Sequence, residues 1–433
     1  MTDNNSHTAT NSSFPPSDWV ETALGEVCEI TSSKRIFANE YQTSGIPFFR
    51  GKEVTEKFNG NNISTELFIT EEKYNEIKNN FGVPEENDIL LTSVGTLGNP
   101  YLVEKDLKFY FKDGNLTWFR RYKNINPKFL FYWIISPQGK ESLSHSQIGS
   151  TQQAYTIVSL KKSEILLPPL PEQQAIASVL SAFDDKIELL REQNKTLEEM
   201  GQVIFQEWFG KYGVDDDKVN AEGREGGLGQ LPDGWRVGKL GEENFAEIIG
   251  SGINEFDGEK TYLATADVSD SNITNTNEKI TFQERPSRAN MQPIEKSIWF
   301  AKMQDSRKLL MFDDYSGFEI ENFILSTGFA GIKTTEFSHY FMWCFILSKE
   351  FDELKNNMAN GAVQIAVNNT NLEKIEILIP DDQTLAKFNK LTKPIFKKIY
   401  DNNSQIQSLA RSRDELLPRL MSGMLRVNDF SNN

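Results

Sequence analysis

Cysteine and histidine are scarce in this chain. Its 433 residues include two cysteines and three histidines, all far apart in the sequence. This spacing provides neither a disulfide framework nor a set of metal ligands. Long apolar runs are missing too, because the longest one, residues 340–347, is far too short to span a bilayer. The N-terminus does not resemble a signal peptide. The composition therefore predicts a cytoplasmic protein with no metal site and no contact with a membrane.

Sequence motifs of catalysis are also missing. No glycine completes the phosphate-binding pattern G-x-x-x-x-G-K-[ST], and no G-x-G-x-x-G follows a strand. A chain of this length without a recognisable active site favours a binding or scaffold protein. An enzyme with an unrecognised site stays open as an alternative.

The chain has a surplus of acidic residues, with a formal net charge of −16. DNA contacts need Lys and Arg, so the total charge gives nucleic-acid binding no support. The distribution is uneven: residues 168–217 contain 4 basic and 11 acidic residues, whereas residues 380–433 contain 9 basic and 6 acidic ones. These two segments are expected to attract each other. A local basic face can coexist with an acidic remainder, so DNA binding is not excluded.

What the chain does contain is enough apolar material for two or three globular domains, with 38% hydrophobic and 11% aromatic residues. Its most regular stretch is residues 168–210, where apolar residues recur every three or four positions for about five heptads. Pro171 suits the first turn of a helix and Gly210 suits the position after its end. This pattern predicts a long helix that packs on a partner helix. Its predicted seam includes Phe183, Ile187, Leu190, Asn194, Leu197 and Ile204.

The sequence contains two copies of one repeat. The pattern Trp19-x4-Leu24-Gly25-Glu26 recurs at Trp235, a shift of 216, and the landmarks from Gly149 to Pro168 recur at a shift of 212. Between them, each copy has two β-rich stretches in the same order, 46–50 and 88–93 in the first and 261–265 and 297–301 in the second. This agreement in order indicates an internal duplication.

The second copy also ends in a predicted helix, which starts after Pro380 with an aspartate as its N-cap. Pro394 is expected to bend or delay this helix near its start. Asn194 and Asn402 are predicted to fix the register of the helix pair, although an asparagine at such a position can also face solvent. The seam predicted by the shift of 212 includes Ile395, Ile399, Asn402, Ile406, Leu409 and Leu416.

Four motifs give the chain a family resemblance. They are Leu167-Pro-Pro-Leu-Pro-Glu-Gln-Gln174, Phe205-Gln-Glu-Trp-Phe209, Leu231-Pro-Asp-Gly-Trp235 and Leu416-Leu-Pro-Arg-Leu-Met-Ser-Gly423. In this order and spacing they resemble the specificity subunit of Type I restriction-modification systems, from Trp19 to about Met424. The second helix entrance departs from the pattern, since it reads Pro-Asp-Asp-Gln383 and lacks the Glu-Gln pair. This departure leaves the equivalence of the two entrances open.

The expected fold is α+β, with two tandem, pseudo-symmetric globular α/β domains that are each followed by a long helix. The helices are expected to pair as an antiparallel coiled coil that holds the domains at its opposite ends. The predicted segments are a tail at 1–18, target-recognition domain 1 at 19–167, a long helix at 168–212, a linker at 213–230, target-recognition domain 2 at 231–379, a second long helix at 380–424 and a tail at 425–433.

The resemblance implies a function that composition alone does not provide. Each target-recognition domain is expected to read one half of a bipartite, asymmetric site in double-stranded DNA, and the helices are expected to set the spacer. No cofactor is expected in this chain. Its expected partners are two modification subunits, which bind S-adenosylmethionine, and restriction subunits, which use ATP and Mg2+. The alternative is a coiled-coil scaffold that joins other subunits without reading DNA.

Residues that read base edges are expected among Arg, Lys, Asn, Gln and Ser side chains on loops. For each of them, a contact to phosphate or a plain surface position remains the alternative. The candidates are Arg50, Lys52, Ser93, Gln152 and Gln153 in the first domain and Arg288, Asn290, Lys302, Gln304, Lys308 and Gln364 in the second.

Overall fold

The computed structural model describes residues 16–60, 63–148, 153–210, 231–359 and 366–427. The chain forms two compact units: unit 1 consists of Met1–Glu188 and Gln407–Asn433, and unit 2 of Leu189–Ile406. Both long helices cross a unit boundary, so each unit contains one globular domain and part of both helices. No helix in the described ranges is long and apolar enough to cross a membrane.

Unit 1 is built on a four-stranded antiparallel sheet in the order β2-β8-β5-β6 and a three-stranded sheet in the order β4-β3-β7. In the second sheet, β3 and β7 are parallel. The strand β1 pairs with β11, and β9 pairs with β10. The strands are β1 (Val20–Ala23), β2 (Glu29–Thr31), β3 (Ile46–Phe49), β4 (Phe68–Ile69), β5 (Ile89–Thr92), β6 (Pro100–Leu102), β7 (Tyr110–Phe111), β8 (Leu116–Arg120), β9 (Gln147–Ile148), β10 (Ala154–Tyr155) and β11 (Glu164–Leu167).

The helices of unit 1 cover these sheets and join the long helices in one core. Ile176 and Leu180 of α7 and Leu417 and Leu420 of α12 are buried in the same apolar cluster as Trp133 of α4. The helices are α1 (Leu24–Val27), α2 (Gly51–Phe58), α3 (Glu71–Asn80), α4 (Pro127–Ile135), α5 (Pro137–Ser144), α6 (Ile157–Lys162), the first part of α7 (Leu170–Phe209) and the last part of α12 (Asp382–Met421).

Unit 2 repeats this plan with two four-stranded sheets, β13-β22-β19-β20 and β17-β14-β21-β18. The pair β14 and β21 is parallel, and β12 pairs with β23. The strands are β12 (Arg236–Lys239), β13 (Ala246–Ile249), β14 (Lys260–Leu263), β15 (Val268–Ser269), β16 (Asn272–Ile273), β17 (Lys279–Ile280), β18 (Ala289–Met291), β19 (Ser297–Ala301), β20 (Leu309–Phe312), β21 (Phe323–Ser326), β22 (Phe329–Thr334) and β23 (Glu376–Ile379). The remaining helices are α8 (Gly317–Asn322), α9 (His339–Leu347), α10 (Lys349–Asn357) and α11 (Asn369–Leu372).

The two units confirm the duplication. The sheet β2-β8-β5-β6 corresponds strand by strand to β13-β22-β19-β20, and the parallel pair β3 and β7 corresponds to β14 and β21. The closing pair β1 and β11 corresponds to β12 and β23 in the same antiparallel register. The α+β fold with two equivalent domains and two long helices is therefore as predicted.

The long helices pack antiparallel within each unit. In unit 1, Asp184 of α7 pairs with Arg413 of α12, while Glu172, at the start of α7, pairs with Arg426, which follows α12. In unit 2, the two helices approach each other closely at Gly201, where an added Cβ atom would lie 2.7 Å from the ring of Phe396. Only glycine fits there, although it costs about 1 kcal/mol relative to alanine in a helix.

Every position of the predicted seam is buried or half-buried. Ile187, Leu190 and Asn402 are buried, and the remaining nine positions are half-buried. The shifted seam does not include Phe396, which lies next to Ile395 and is buried at 2% exposure. The ring of Phe396 fills the space that Gly201 leaves open. The half-buried positions are Phe183, Asn194, Leu197, Ile204, Ile395, Ile399, Ile406, Leu409 and Leu416.

Pro394 does not delay the second helix, because α12 begins at Asp382; the alternative, a bend at Pro394, stays a prediction. Asp381 caps this start, since its carboxylate accepts hydrogen bonds from the backbone N–H of Thr384 at 3.0 Å and from the Thr384 hydroxyl at 2.6 Å. Leu385, Phe388 and Phe396 are buried in the core of unit 2 on both sides of the proline. This packing holds the helix through a residue that removes one backbone hydrogen bond.

Three asparagines join the helices in unit 2. The Asn402 amide donates to Asn194 Oδ1 at 2.8 Å, and the Asn194 amide donates to Asn403 Oδ1 at 2.7 Å. Asn402 is fully buried. Asn194 and Asn402 therefore face each other and not solvent, which is the arrangement that fixes register in a helix pair.

Candidate nucleic-acid interface

In unit 2, five segments made of loops and strand ends lie side by side at one end of the sheets, next to the carboxyl ends of β14, β19 and β21. We call segments 250–252, 288–290, 302–304, 326–328 and 366–367 the unit 2 edge. Backbone hydrogen bonds hold each segment to the next, so the side chains project from a fixed frame. These bonds are Gly252 N–H to Asn290 O (2.9 Å), Thr327 N–H to Arg288 O (2.8 Å), Lys302 N–H to Gly328 O (2.9 Å) and Val367 N–H to Lys302 O (2.9 Å).

Unit 1 has the same frame, formed by segments 50–52, 92–99, 112–115 and 153–155, which we call the unit 1 edge. The bonds of Ser93 correspond to those of Lys302 in unit 2. They run from Ser93 N–H to Asn115 O at 2.8 Å and from Tyr155 N–H to Ser93 O at 3.0 Å. The isolated bridges Val94–Ala154 and Met303–Ala366 also correspond. The backbone around Ser93 and Lys302 is therefore equivalent in the two edges, while the side chains on it differ.

Ser93 is the clearest example of this difference, and it corrects a predicted reading residue. Its side chain is 2% exposed, and its hydroxyl lies 2.7 Å from Thr117 Oγ1. A hydroxyl that is buried and already hydrogen-bonded has no group to offer to a base. At the equivalent position in unit 2, Lys302 is half-buried, and burial lowers the pKa of its amino group. No carboxylate of the described residues lies within ion-pair distance of it.

Arg50 lies at the unit 1 edge as predicted, but its charge is already paired. Its Nη2 lies 2.8 Å from Oε1 of Glu53, whose side chain is completely buried. This hydrogen bond raises the pKa of Arg50. Lys52 is more exposed and lies 3.8 Å from both Glu56 and Glu66. The carboxylates thus balance the two predicted cations of this loop.

The unit 2 edge brings four of the five described candidates of its domain together. Arg288 is exposed, and Asn290, Lys302 and Gln304 are half-buried. Lys308 lies further back, where its amino group donates to the carbonyl oxygen of Val268 at 2.8 Å. This bond makes Lys308 a structural residue.

Of the three predicted glutamines, the structure describes one. Gln153 is described and exposed at the unit 1 edge. Gln152 and Gln364 lie outside the described residues, although Gln364 precedes Ala366 of the unit 2 edge by two positions in the sequence.

Lys112 is a residue that the sequence analysis missed. Its backbone N–H donates to Phe49 O at 2.8 Å, so it follows β7 where Arg50 follows the parallel strand β3. The carboxyl ends of parallel strands meet at the same edge of a sheet, and this places Lys112 beside Arg50. The signal in the sequence is the apolar run 109–111 followed by a lysine.

Comparisons with known proteins agree with this architecture. A protein-family model described as the Type I restriction modification DNA specificity domain matches residues 16–199. The chain is 28% identical to the Type I restriction enzyme MjaIX specificity subunit of Methanocaldococcus jannaschii, over 96% of this chain and 95% of that protein. It is 24% identical to the HindI specificity subunit of Haemophilus influenzae, over 94% and 99% of the two chains. Residues 16–199 thus match the model of that specificity domain, and the chain is similar to these specificity subunits over nearly its whole length.

A solved structure supports the fold of this chain. The crystal structure of a Type I restriction-modification S subunit from M. genitalium superposes with a TM-score of 0.52, covering 95% of this chain and 97% of the other. The two sequences are 18% identical, so this likeness concerns the fold alone.

The two helix entrances share one kind of contact despite their different sequences. In unit 1 the Trp19 indole N–H donates to Glu172 at 3.3 Å, and in unit 2 the Trp235 indole N–H donates to Asp381 at 2.9 Å. Gln173 is buried and binds the backbone of residues 124, 126 and 168. At the position equivalent to Gln173, the second copy has the buried Leu385. An acid that binds a tryptophan is therefore what the two entrances share.

A row of exposed apolar side chains runs along α7 within unit 2. Leu189, Met200 and Val203 are 45%, 48% and 61% exposed. Their spacing of eleven and three residues puts them on one face of the helix, and we call them the α7 stripe. Leu189 also lines a shallow groove together with Leu197 and with Lys398 of α12. Met200 and Val203 are neighbours on this face, which makes it a candidate surface for contact with another protein.

Proposed function

We propose that this chain selects the DNA sequence on which a Type I restriction-modification complex acts. Each globular domain contacts one half of a bipartite, asymmetric site. The observation that carries the proposal is the pair of edges, in which equivalent backbone bonds hold different residues: the buried Ser93 at one edge and the half-buried Lys302 at the other. One scaffold used twice with different side chains suits the recognition of two different half-sites.

The chain itself is a non-catalytic subunit, and the chemistry comes from its partners. We propose that two modification subunits bind S-adenosylmethionine and methylate adenine, and that restriction subunits use ATP and Mg2+. The α7 stripe is the surface that we assign to a modification subunit, because three apolar side chains on one helix face favour contact with a protein over contact with DNA. Since the DNA of the host cell is the substrate, we expect the complex to work in the cytoplasm.

The test is to produce the chain together with the modification subunit encoded beside it, in a host without other adenine methylation. Methylated adenines are then mapped across the genome. We expect one split motif with a constant spacer and two different halves. A control strain that produces the modification subunit alone should show no such motif. If both strains give the same map, or if no motif is found, the proposal is wrong. The absence of a motif is the result that we expect if the chain is a scaffold that does not read DNA.

A further inference from the structure

Arg288 differs from every other arginine in the two globular domains. Each domain has four arginines, and seven of the eight have a partner that occupies the guanidinium group. Among the described residues, Arg288 has no ion pair and no ring against which it stacks. The seven occupied pairs are Arg35 with Asp113, Arg50 with Glu53, Arg120 and Arg121 with Glu29, Arg236 with Glu242, Arg307 with Asp352 and Arg285 with the ring of Phe282.

The position of Arg288 is nevertheless fixed. Its carbonyl oxygen accepts the N–H of Thr327 at 2.8 Å, and its guanidinium lies against Gly328, where an added Cβ atom would come within 3.3 Å of Nη2. The same hypothetical Cβ would lie 3.0 Å from the methyl group of Thr265. Gly328 thus provides the space in which the guanidinium sits beside the carboxyl ends of β14 and β21.

Lys302 is held on the other side of Gly328, since its N–H donates to the Gly328 carbonyl oxygen at 2.9 Å. Its amino group also lacks a carboxylate partner among the described residues, and burial lowers its pKa. In a chain with a net charge of −16, two neighbouring cations without a carboxylate indicate a site for an anionic or electron-rich ligand.

We propose that Arg288 reads a guanine in the half-site of unit 2, with Lys302 bound to the adjoining phosphate. This inference rests on the proposed function. A free guanidinium carried on a fixed backbone matches the paired acceptors O6 and N7 of guanine, which need two parallel N–H donors. The amino group of Lys302 is a point charge and suits a phosphate oxygen. Asn290 and Gln304 lie beside them on the same edge.

The substitution Arg288→Lys separates base reading from the contribution of positive charge. Lysine keeps the charge of arginine but lacks its two parallel N–H donors. We expect the complex with Arg288→Lys to accept other bases at one guanine position of the second half-site. At that position the preference for guanine should fall by roughly 5- to 150-fold. The first half-site and the spacer should stay the same. Genome-wide maps of methylated adenine, together with methylation rates on duplexes that differ at each position, measure this change.

Two further variants complete the experiment. Lys302→Gln should weaken binding to all sequences alike and reduce the slope of log affinity against log salt concentration by about one, with the motif unchanged. Arg285→Gln is the matched control, because this arginine lies three residues away and already stacks on Phe282; its motif should equal that of the wild type. Circular dichroism and co-purification with the modification subunit establish that each variant is folded.

The outcomes separate the inference from the proposed function. If the wild type gives a split motif and Arg288→Lys gives the same motif with the same preference, Arg288 is not a base reader and the inference is wrong. The inference is also contradicted if Arg288→Lys lowers methylation of all sequences alike and leaves the motif unchanged. If the wild type gives no motif, the proposed function fails, whatever the variants do.

Discussion

At the scale of single residues, the groups that a side chain contacts decide its role more than the residue type does. Arg50 and Arg288 are both arginines on loops that follow strands, and the sequence analysis ranked them alike. The structure pairs Arg50 with the buried Glu53 and leaves Arg288 exposed. The first pair was readable from the sequence, since Glu53 follows at i+3. The hydrogen bond between Ser93 and Thr117 could not be read from the sequence. These residues are 24 positions apart, and only the fold brings β5 next to β8.

Asp88 provides a prediction at this scale. It is 7% exposed, and one of its oxygens accepts hydrogen bonds from the Trp118 indole at 2.8 Å and from Glu85 N–H at 3.0 Å. Burial raises the pKa of its carboxyl group from 3.8 to about 6. The folded state therefore binds more protons than the unfolded state between about pH 4 and pH 6, and the contribution of Asp88 to stability falls as the pH rises through this window.

Asp88→Asn cannot ionise, and its amide oxygen can accept the same two hydrogen bonds. We expect it to stabilise unit 1 relative to the wild type by roughly 2 kcal/mol more at pH 7.5 than at pH 4.5. Urea unfolding followed by tryptophan fluorescence at the two pH values measures the difference. Asp106→Asn, in an exposed turn, is the control and should show no such difference. Equal stabilisation at both pH values would mean that Asp88 titrates normally.

At the scale of elements, periodicity predicted the long helices and most of their shared seam. Apolar spacing does not report side-chain size, so it did not reveal the contact of Gly201 with Phe396 across the seam of unit 2. Phe396 is buried, and the neighbouring seam residue Ile395 is half-buried. The rule that proline delays a helix failed because the core of unit 2 holds Leu385 and Phe396 on both sides of Pro394. Tertiary packing outweighed the local preference at this proline.

The α7 stripe gives a prediction for the helix pair. Met200→Asp and Val203→Asp each put a charge on a face that we assign to a modification subunit. Burial of an unpaired charge is costly, so we expect affinity for that subunit to fall at least about ten-fold. Titration calorimetry and co-purification measure the loss. Both residues are exposed in the chain, so its own stability should change little.

Lys195→Asp is the matched control, because Lys195 is exposed on a different face of the same helix. It should retain wild-type affinity. If Lys195→Asp weakens the complex as much as the stripe variants do, the loss reflects total charge and not the stripe. If the stripe variants bind like the wild type, the modification subunit docks elsewhere.

At the scale of the whole molecule, the duplication is what made the fold predictable. Landmarks at the ends of each copy matched at shifts of 216 and 212, and the closing strand pairs β1–β11 and β12–β23 lie at those positions. The edges were less predictable, because they combine segments from four or five parts of each copy. The sequence shows that Arg288 and Lys302 are present, but only the backbone bonds of Gly328 show that they are neighbours.

The last prediction concerns the length of the helix pair, which we propose to set the spacer between half-sites. Glu192 of α7 lies near Ser404 of α12, since Asn194 contacts Asn402 and Asn403. Seven residues inserted after Glu192, with a matching seven after Ser404, keep the heptad phase of both helices. They lengthen the pair by about 10 Å at about 1.5 Å per residue.

At about 3.4 Å per base pair, that length corresponds to about three base pairs. We expect the methylated motif of the doubly extended chain to keep both halves and to gain about three base pairs of spacer. Insertion into α7 alone is the control, because it removes the match between the two seams and should abolish methylation. A doubly extended chain that still assembles with the modification subunit and methylates the original spacing shows that the helices do not measure the distance. The edges would then have to find their half-sites independently, and a constant spacer in the wild type would need another cause.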